Sequence, residues 1–404
     1  MNSQRNPTST PLRIRIRAID IMRGLTLFLM LFVNDLYTAA VPKWLLHTEA
    51  HEDGMGLSDW VFPGFLFMVG MAIPYAVAAR KKKGDSDGQV FFHILSRSIS
   101  LIIIGLLVVN SGRINPELSG IPKLLWIGLV YVCIFLIWNN YPKNSDKKTL
   151  FKVFRFIGII GLIFLVAIFR AGTAESVNWF EKSWWGILGL IGWGYLIAGT
   201  VYLIVKDRLW ASVLAILFFL FLNVASLNEW IPNILPLQEY FDVLLQGNVP
   251  MIVVSGLTAA IMVKRYAKDW KVLLKYLMLY GIVCLILGVF FHQWFIISKI
   301  LATPSWGMLC NGISILLFVL IYYWIDVKGN TRLISLFESA GQNSLTTYLA
   351  PDLIYFIVWG FGIPLFFYKQ VDHVWLAIIG SMLWAYAMLW FGLLLNRIGI
   401  KLKL

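Results

Sequence analysis

Apolar residues in this chain arrive in blocks of roughly 18–25, separated by short polar segments, and that block length constrains the fold more than any other feature. A helix rising about 1.5 Å per residue crosses a hydrocarbon core of about 30 Å in about 20 residues. An outer-membrane barrel would show alternating segments of about ten residues instead. With 59% hydrophobic and 14% charged residues, and a mean hydropathy of +0.76, the 404 residues cannot be divided into ordinary soluble domains. The expected fold is all-α: a polytopic transmembrane helical bundle. Its spans number about twelve, near 18–41, 59–79, 94–111, 121–139, 153–169, 184–205, 209–227, 249–263, 272–294, 305–325, 345–362 and 374–395. No linker or low-complexity stretch divides them, so residues 1–404 read as a single transmembrane domain.

The formal charge of +13 does not gather into a phosphate-binding groove for nucleic acid. It falls in short runs between apolar blocks, such as Arg80-Lys81-Lys82-Lys83 and residues 143–155. With Arg17 and the residues before it in the cytoplasm, alternation of sides puts roughly 27 of the 34 basic residues on that face and leaves acids such as Glu49, Glu52 and Asp53 outside. Both termini are then cytoplasmic. The first apolar block is too long for a signal peptide's core and is interrupted by Asn34-Asp35, which predicts that it is retained. Cys133, Cys284 and Cys310 lie inside apolar blocks and offer neither a disulfide framework nor a metal spacing.

Ionisable groups inside a span cost on the order of 2.5–3.5 kcal/mol by insertion scales, so each is a functional candidate. Asp20 and Arg23 share one face at the start of the first span, where they can pair and present a guanidinium to a cytoplasmic anion, or simply form an interfacial ion pair. Asn34-Asp35 lies about three turns on. A loop with His47 and His51 among several carboxylates follows, and then Ser58-Asp59 at the head of the next span. Imidazole titrating near neutral pH suits general acid–base work. The carboxylates follow no metal-ligand spacing, so no metal is expected, and Asp59 can also be read as a helix cap. Arg97, Asn110, Arg113 and Asn343-Ser344 are placed to line a common cavity. Pro351-Asp352 sits well inside a span, as a kink with a paired acid or as a substrate contact. His93, His292 and His373 read as lone interfacial residues.

Four stretches then carry a resemblance: Arg17 to Gly24, Phe32-Val33-Asn34, Leu46-His47, and Asp59 to Gly70 with its Asp-Trp-Val-Phe-Pro-Gly-Phe-Leu-Phe core. In order and spacing this opening resembles the heparan-α-glucosaminide N-acetyltransferase family. Arg97-Ser98, Thr303-Pro304-Ser305-Trp306, Asp326 to Gly329 and Gly341 to Ser344 resemble its later motifs, and the likeness is dense in residues 13–110 and 300–352. The family's Gly-Val-Leu-Gln-Arg segment is replaced by Lys123-Leu124-Leu125-Trp126-Ile127-Gly128, and residues 153–227 hold an extra helix pair beyond its ten-helix core.

The resemblance implies a transmembrane acetyltransferase of an inner membrane, taking acetyl from cytoplasmic acetyl-CoA to an amino sugar or related glycan on the periplasmic side. It is compatible with a homo-oligomer. It implies catalytic roles for His47, Asn34 and Asp59, with His51 a rival for the histidine position because the chain between Asn34 and His47 is about two residues longer. Asp20, Arg23, Arg97, Asn343 and Ser344 are expected at the donor, and His51, Trp306 and Asp352 at the acceptor. The other reading of the same buried polar groups is a transporter or flippase of a small sugar or lipid-linked intermediate.

Overall fold

The computed structural model describes residues 16–142, 144–231, 238–330 and 335–404. The basic leader before residue 16, which the charge argument places in the cytoplasm, lies outside the described residues, as does Lys143. In chain order the helices are α1 (Arg17–Asp35), α2 (Leu57–Lys81), α3 (Asp87–Ser111), the short α4 (Pro116–Ser119), α5 (Lys123–Trp138), α6 (Lys148–Ile168), α7 (Gly186–Val205) and α8 (Leu209–Leu227). A short α9 (Asp242–Gln246) precedes α10 (Asn248–Tyr266), α11 (Trp270–Phe291) and α12 (Pro304–Tyr322). The chain ends with α13 (Ser335–Gln342), α14 (Ser344–Gly360) and α15 (Val374–Arg397). Each of the twelve apolar segments falls on a helix. Among the described residues nine helices are long and apolar enough to cross a membrane, and α5 and α14 are shorter apolar helices. The protein is an all-α, multi-pass membrane protein.

Side chains on α6, α8 and α11 such as Phe164, Phe221 and Ile286 are exposed, as an apolar helix facing lipid requires. The interior is built around α2 and α10, the most buried of the long apolar helices among the described residues. They cross closely because glycines meet backbone there. A Cβ on Gly70 would stand 1.8 Å from the Val253 carbonyl oxygen, and one on Gly256 would stand 1.9 Å from that of Phe67. Small residues at such a crossing allow the dispersion contacts that hold helices together where no hydrophobic effect operates between them. The same device docks α13 on α1, where a Cβ on Gly341 would lie 2.1 Å from the Asp20 carbonyl oxygen.

The helix starts follow local chemistry. Ser86 caps α3 by accepting from the Gln89 N–H, while Gln89 accepts from the Ser86 N–H. Thr303 and Pro304 open α12, the proline occupying a position whose N–H has no helical partner. At α2 the cap is Gly56, and Asp59 accepts its N–H at 3.0 Å.

Candidate functional site

Three groups of polar residues emerge along the bundle. The first surrounds a cavity of about 610 Å³ at the end where α1 starts and α2 finishes. All five residues expected at the donor line it: Asp20, Arg23, Arg97, Asn343 and Ser344. Arg23 donates to Asp20 at 2.7 Å and to the Gly341 carbonyl at 2.5 Å, which fixes the guanidinium at the α1–α13 crossing. The Arg97 guanidinium lies 4.9 Å from the Tyr195 ring centroid, a cation–π arrangement that orients it without neutralising it.

The sequence left several lining residues out. His93, taken there as a lone interfacial histidine, faces the same space one helical turn from Arg97, as do Tyr75, Lys401 and Lys403. The two lysines arrive through backbone pairing: Asn140 N–H donates to the Lys401 carbonyl at 2.8 Å, Lys403 N–H to that of Trp138 at 2.9 Å, and Leu402 N–H to Thr346 Oγ1 at 2.8 Å. The only hint in the sequence was the lysine pair itself. Asn343 donates to the Ser339 carbonyl, but among the described residues its buried Oδ1 and the buried Tyr75 hydroxyl have no partner. A buried polar atom without a hydrogen bond costs about 1–3 kcal/mol, so the cavity wall is arranged to meet polar groups of something else.

The second group is built on the loop between α1 and α2. His47 Nδ1 stands 2.7 Å from Asp59 Oδ1. Asp59 is fully buried, and its other oxygen accepts from the N–H groups of Gly56 and Thr48 and from the Thr48 hydroxyl at 3.0–3.1 Å. It therefore acts as the helix cap that its sequence allowed and also as the partner of His47, which its sequence did not show. Donation from Nδ1–H to Asp59 leaves Nε2 with its lone pair on a half-exposed ring. Trp306 is buried rather than open, and its indole N–H donates to the Asp59 carbonyl at 3.2 Å.

Lys299, which no sequence motif singled out, places Nζ 3.1 Å from His47 Nδ1 and 3.4 Å from Nε2. Burial pushes its ammonium below the usual lysine range, and the Asp59 carboxylate partly opposes that shift. The segment carrying it is tied to the histidine loop. Ser298 Oγ donates to the Ala50 carbonyl at 2.7 Å, and Asp53 accepts from the Ile297 N–H at 2.9 Å and faces His292 Nε2 at 2.8 Å. These contacts, the Ile297 N–H first and His292 second, hold the Asp53 carboxyl below its usual range. His51 is exposed and takes no part in these bonds.

The third group is a pocket of about 50 Å³ with Asn34 and Asp352 in its wall. The Tyr131 hydroxyl donates to Asp352, so the acid after Pro351 is both paired and pocket-lining. Asp35, next to Asn34, is buried and accepts from Tyr355, from Tyr368 at 3.1 Å and from Lys369 at 3.0 Å. Asn110 and Arg113 do not join the cavity; they bond each other and Glu181. Among the described residues no cluster of three histidine, cysteine or acidic side chains is arranged to hold a metal ion, and no hydrogen bond joins Asn34 to His47.

The family described as "Domain of unknown function (DUF5009)" matches residues 15–245. Heparan-alpha-glucosaminide N-acetyltransferase of Mus musculus is 31% identical over 144 residues, which are 33% of this chain and 21% of that protein. The Homo sapiens protein of the same name is 31% identical over 134 residues, 32% of this chain and 20% of that one. The alignment thus spans about a fifth of the length of these curated relatives.

Proposed function

The chain belongs to the DUF5009 family and is related to heparan-alpha-glucosaminide N-acetyltransferase, and from that premise we propose that it is a transmembrane acetyltransferase using acetyl-CoA from the cytoplasm. The observation that carries this reading is the convergence of Asp20, Arg23, Arg97, Asn343 and Ser344, drawn from three helices and the turn between α13 and α14, on one cavity of about 610 Å³. The residues present fit the donor. Arg23, Arg97, Lys401 and Lys403 offer the positive charge that nucleotide phosphates need, and the unpartnered Asn343 Oδ1 and Tyr75 hydroxyl can bond its amides or base. Both termini and the Arg80–Lys83 turn would face the cytoplasm of an inner membrane crossed about twelve times.

His47 would take the proton that an acceptor amine or hydroxyl sheds as its bond to the acetyl carbon forms and the carbon–sulfur bond breaks. Asp59 fixes the ring for this by holding Nδ1–H, the arrangement that makes Nε2 the base. Asn34 would donate to the developing oxyanion. The acceptor would be an amino sugar or related glycan on the periplasmic side, where the acids of the external loops suit a cationic group. Titrating the purified protein with acetyl-CoA, then following labelled acetyl into glucosamine, tests the reading; binding and transfer are expected, and absence of acetyl-CoA binding overturns it.

One observation favours a second reading. Tyr348 lines both the large cavity and the Asn34–Asp352 pocket, a polar series a small sugar could follow across the bundle. A transporter would move substrate without acetyl-CoA and would not need His47.

A further inference from the structure

The pocket of about 50 Å³ lies next to the large cavity, with Tyr348 as the residue common to both. Leu31 and Asn34 reach it from α1, Trp384 from α15, and Pro351 and Asp352 from α14 beside Tyr348. Asn34 is the exposed member of this wall, and among the described residues its side-chain amide has no hydrogen-bond partner. The other walls are held from behind. Tyr131 donates to Asp352, Tyr355 donates to Asp35, and the Tyr355 ring packs on Trp384 with centroids 5.0 Å apart. Asp35 is held in turn by Lys369 at 3.0 Å. A pocket braced in this way resists enlargement by rotamer change.

We infer that this pocket receives the acyl group of the donor thioester and limits it to two carbons, with Tyr348 and Trp384 setting the length. The inference rests on the acyl-CoA reading above and goes beyond it by assigning the chain-length filter. At roughly 10–15 Å³ for each water-sized group, 50 Å³ holds about three to five heavy atoms. An acetyl thioester brings two carbons, an oxygen and the sulfur; a butyryl group adds two more carbons and has nowhere to put them. The Asn34 amide is the donor for the thioester oxygen, and Leu31, Pro351 and the Trp384 ring make the apolar wall that the methyl group meets. The large cavity takes the rest of the donor, so the division at Tyr348 separates recognition of the carrier from recognition of the acyl chain.

The test is equilibrium titration of the full chain in nanodiscs with CoA, acetyl-CoA, propionyl-CoA and butyryl-CoA, which needs no acceptor. Wild-type protein is expected to bind butyryl-CoA roughly tenfold or more weakly than acetyl-CoA, the discrimination a tight pocket with an apolar end gives for surplus methylenes. Trp384→Ala should bring the two within about threefold while CoA affinity stays put, and Tyr348→Ala should act in the same direction. Leu31→Phe, which fills the pocket, should weaken acetyl-CoA and spare CoA; it decides the matter if Trp384→Ala proves unfolded and binds no CoA. Equal binding of acetyl- and butyryl-CoA by wild type, or a ratio that none of the three variants moves, overturns the pocket assignment and leaves the donor reading standing. Failure of every CoA species to bind wild type overturns both.

Discussion

The large cavity and the His47 cluster sit at opposite ends of α2, about 24 Å apart along the helix from Asp59 to Tyr75, and they are made in opposite ways. At its centre the His47–Asp59 pair is local, and its carboxylate is saturated. Asp59 is twelve residues from His47, accepts four hydrogen bonds, and has no capacity left for a ligand. The cavity is assembled from segments at opposite ends of the chain, Asp20 and Lys401 among them, and among the described residues its wall keeps buried Asn343 Oδ1 and Tyr75 hydroxyl groups unpaired. Saturation suits a group that must keep one ring orientation through every turnover. Unmet hydrogen-bonding capacity suits a wall that must gain by binding something from solution.

If that division holds, changes at one end alter turnover and changes at the other alter affinity. The largest effect should come from His47→Ala, expected to lower acetyl transfer by roughly 10²–10⁴-fold while acetyl-CoA affinity measured by calorimetry changes little. His51→Ala should be nearly silent. An inactive His51→Ala beside an active His47→Ala would move the base by four residues and break the comparison.

Asp59→Asn should come next, lowering kcat by roughly 100-fold or more with little change in KM, because the amide no longer selects the Nδ1–H tautomer. At the other end, Arg97→Ala should weaken acetyl-CoA binding by about tenfold and flatten its salt dependence, leaving turnover of the bound complex intact. Arg97 is the cleaner probe than Arg23, whose bonds to Asp20 and Gly341 also hold α1 to α13.

Lys299→Met sharpens the His47 cluster. Its ammonium is pushed below the value of about 10.4 expected in the unfolded chain, so the folded protein sheds that proton first. Stability should then rise with pH between the folded and unfolded values in wild type and lose that rise in the variant, as denaturant titrations across alkaline pH would show. The smallest effect belongs to Asp53. Its lowered carboxyl contributes stability above about pH 3.9, a contribution lost as pH falls through the folded value. Asp53→Asn should therefore speed hydrogen exchange at the Gly54 and Ile297 amides near neutral pH, with wild type approaching the variant in acid.

The span pattern was legible because a bilayer imposes one length on every crossing segment, and residues such as Asn34-Asp35 and Asp352 stood out against it. Residues that line the large cavity were legible for the same reason: Arg97 and Asn343-Ser344 are polar intrusions in apolar blocks. Lys299 was not, since a single lysine in a connecting segment carries no signal until the Asp53–Ile297 and Ser298–Ala50 bonds bring it to His47. His93 and His292 looked solitary because Lys403 and Asp53, which the fold brings to them, are far away in the chain.

Sequence by itself determined the all-α membrane class and the positions of the helices, both consequences of hydrophobic length. The tertiary structure decided what the polar intrusions share. It closed the large cavity with the strand-like pairing of Lys401–Lys403 to Trp138–Asn140, separated Asn34 from the hydrogen bonds of His47, and put Tyr348 between the two pockets. Periodicity reports which face of a helix is apolar, but the partner of that face depends on close crossings such as Gly24 and Gly341 between α1 and α13, whose contacts span more than 300 residues.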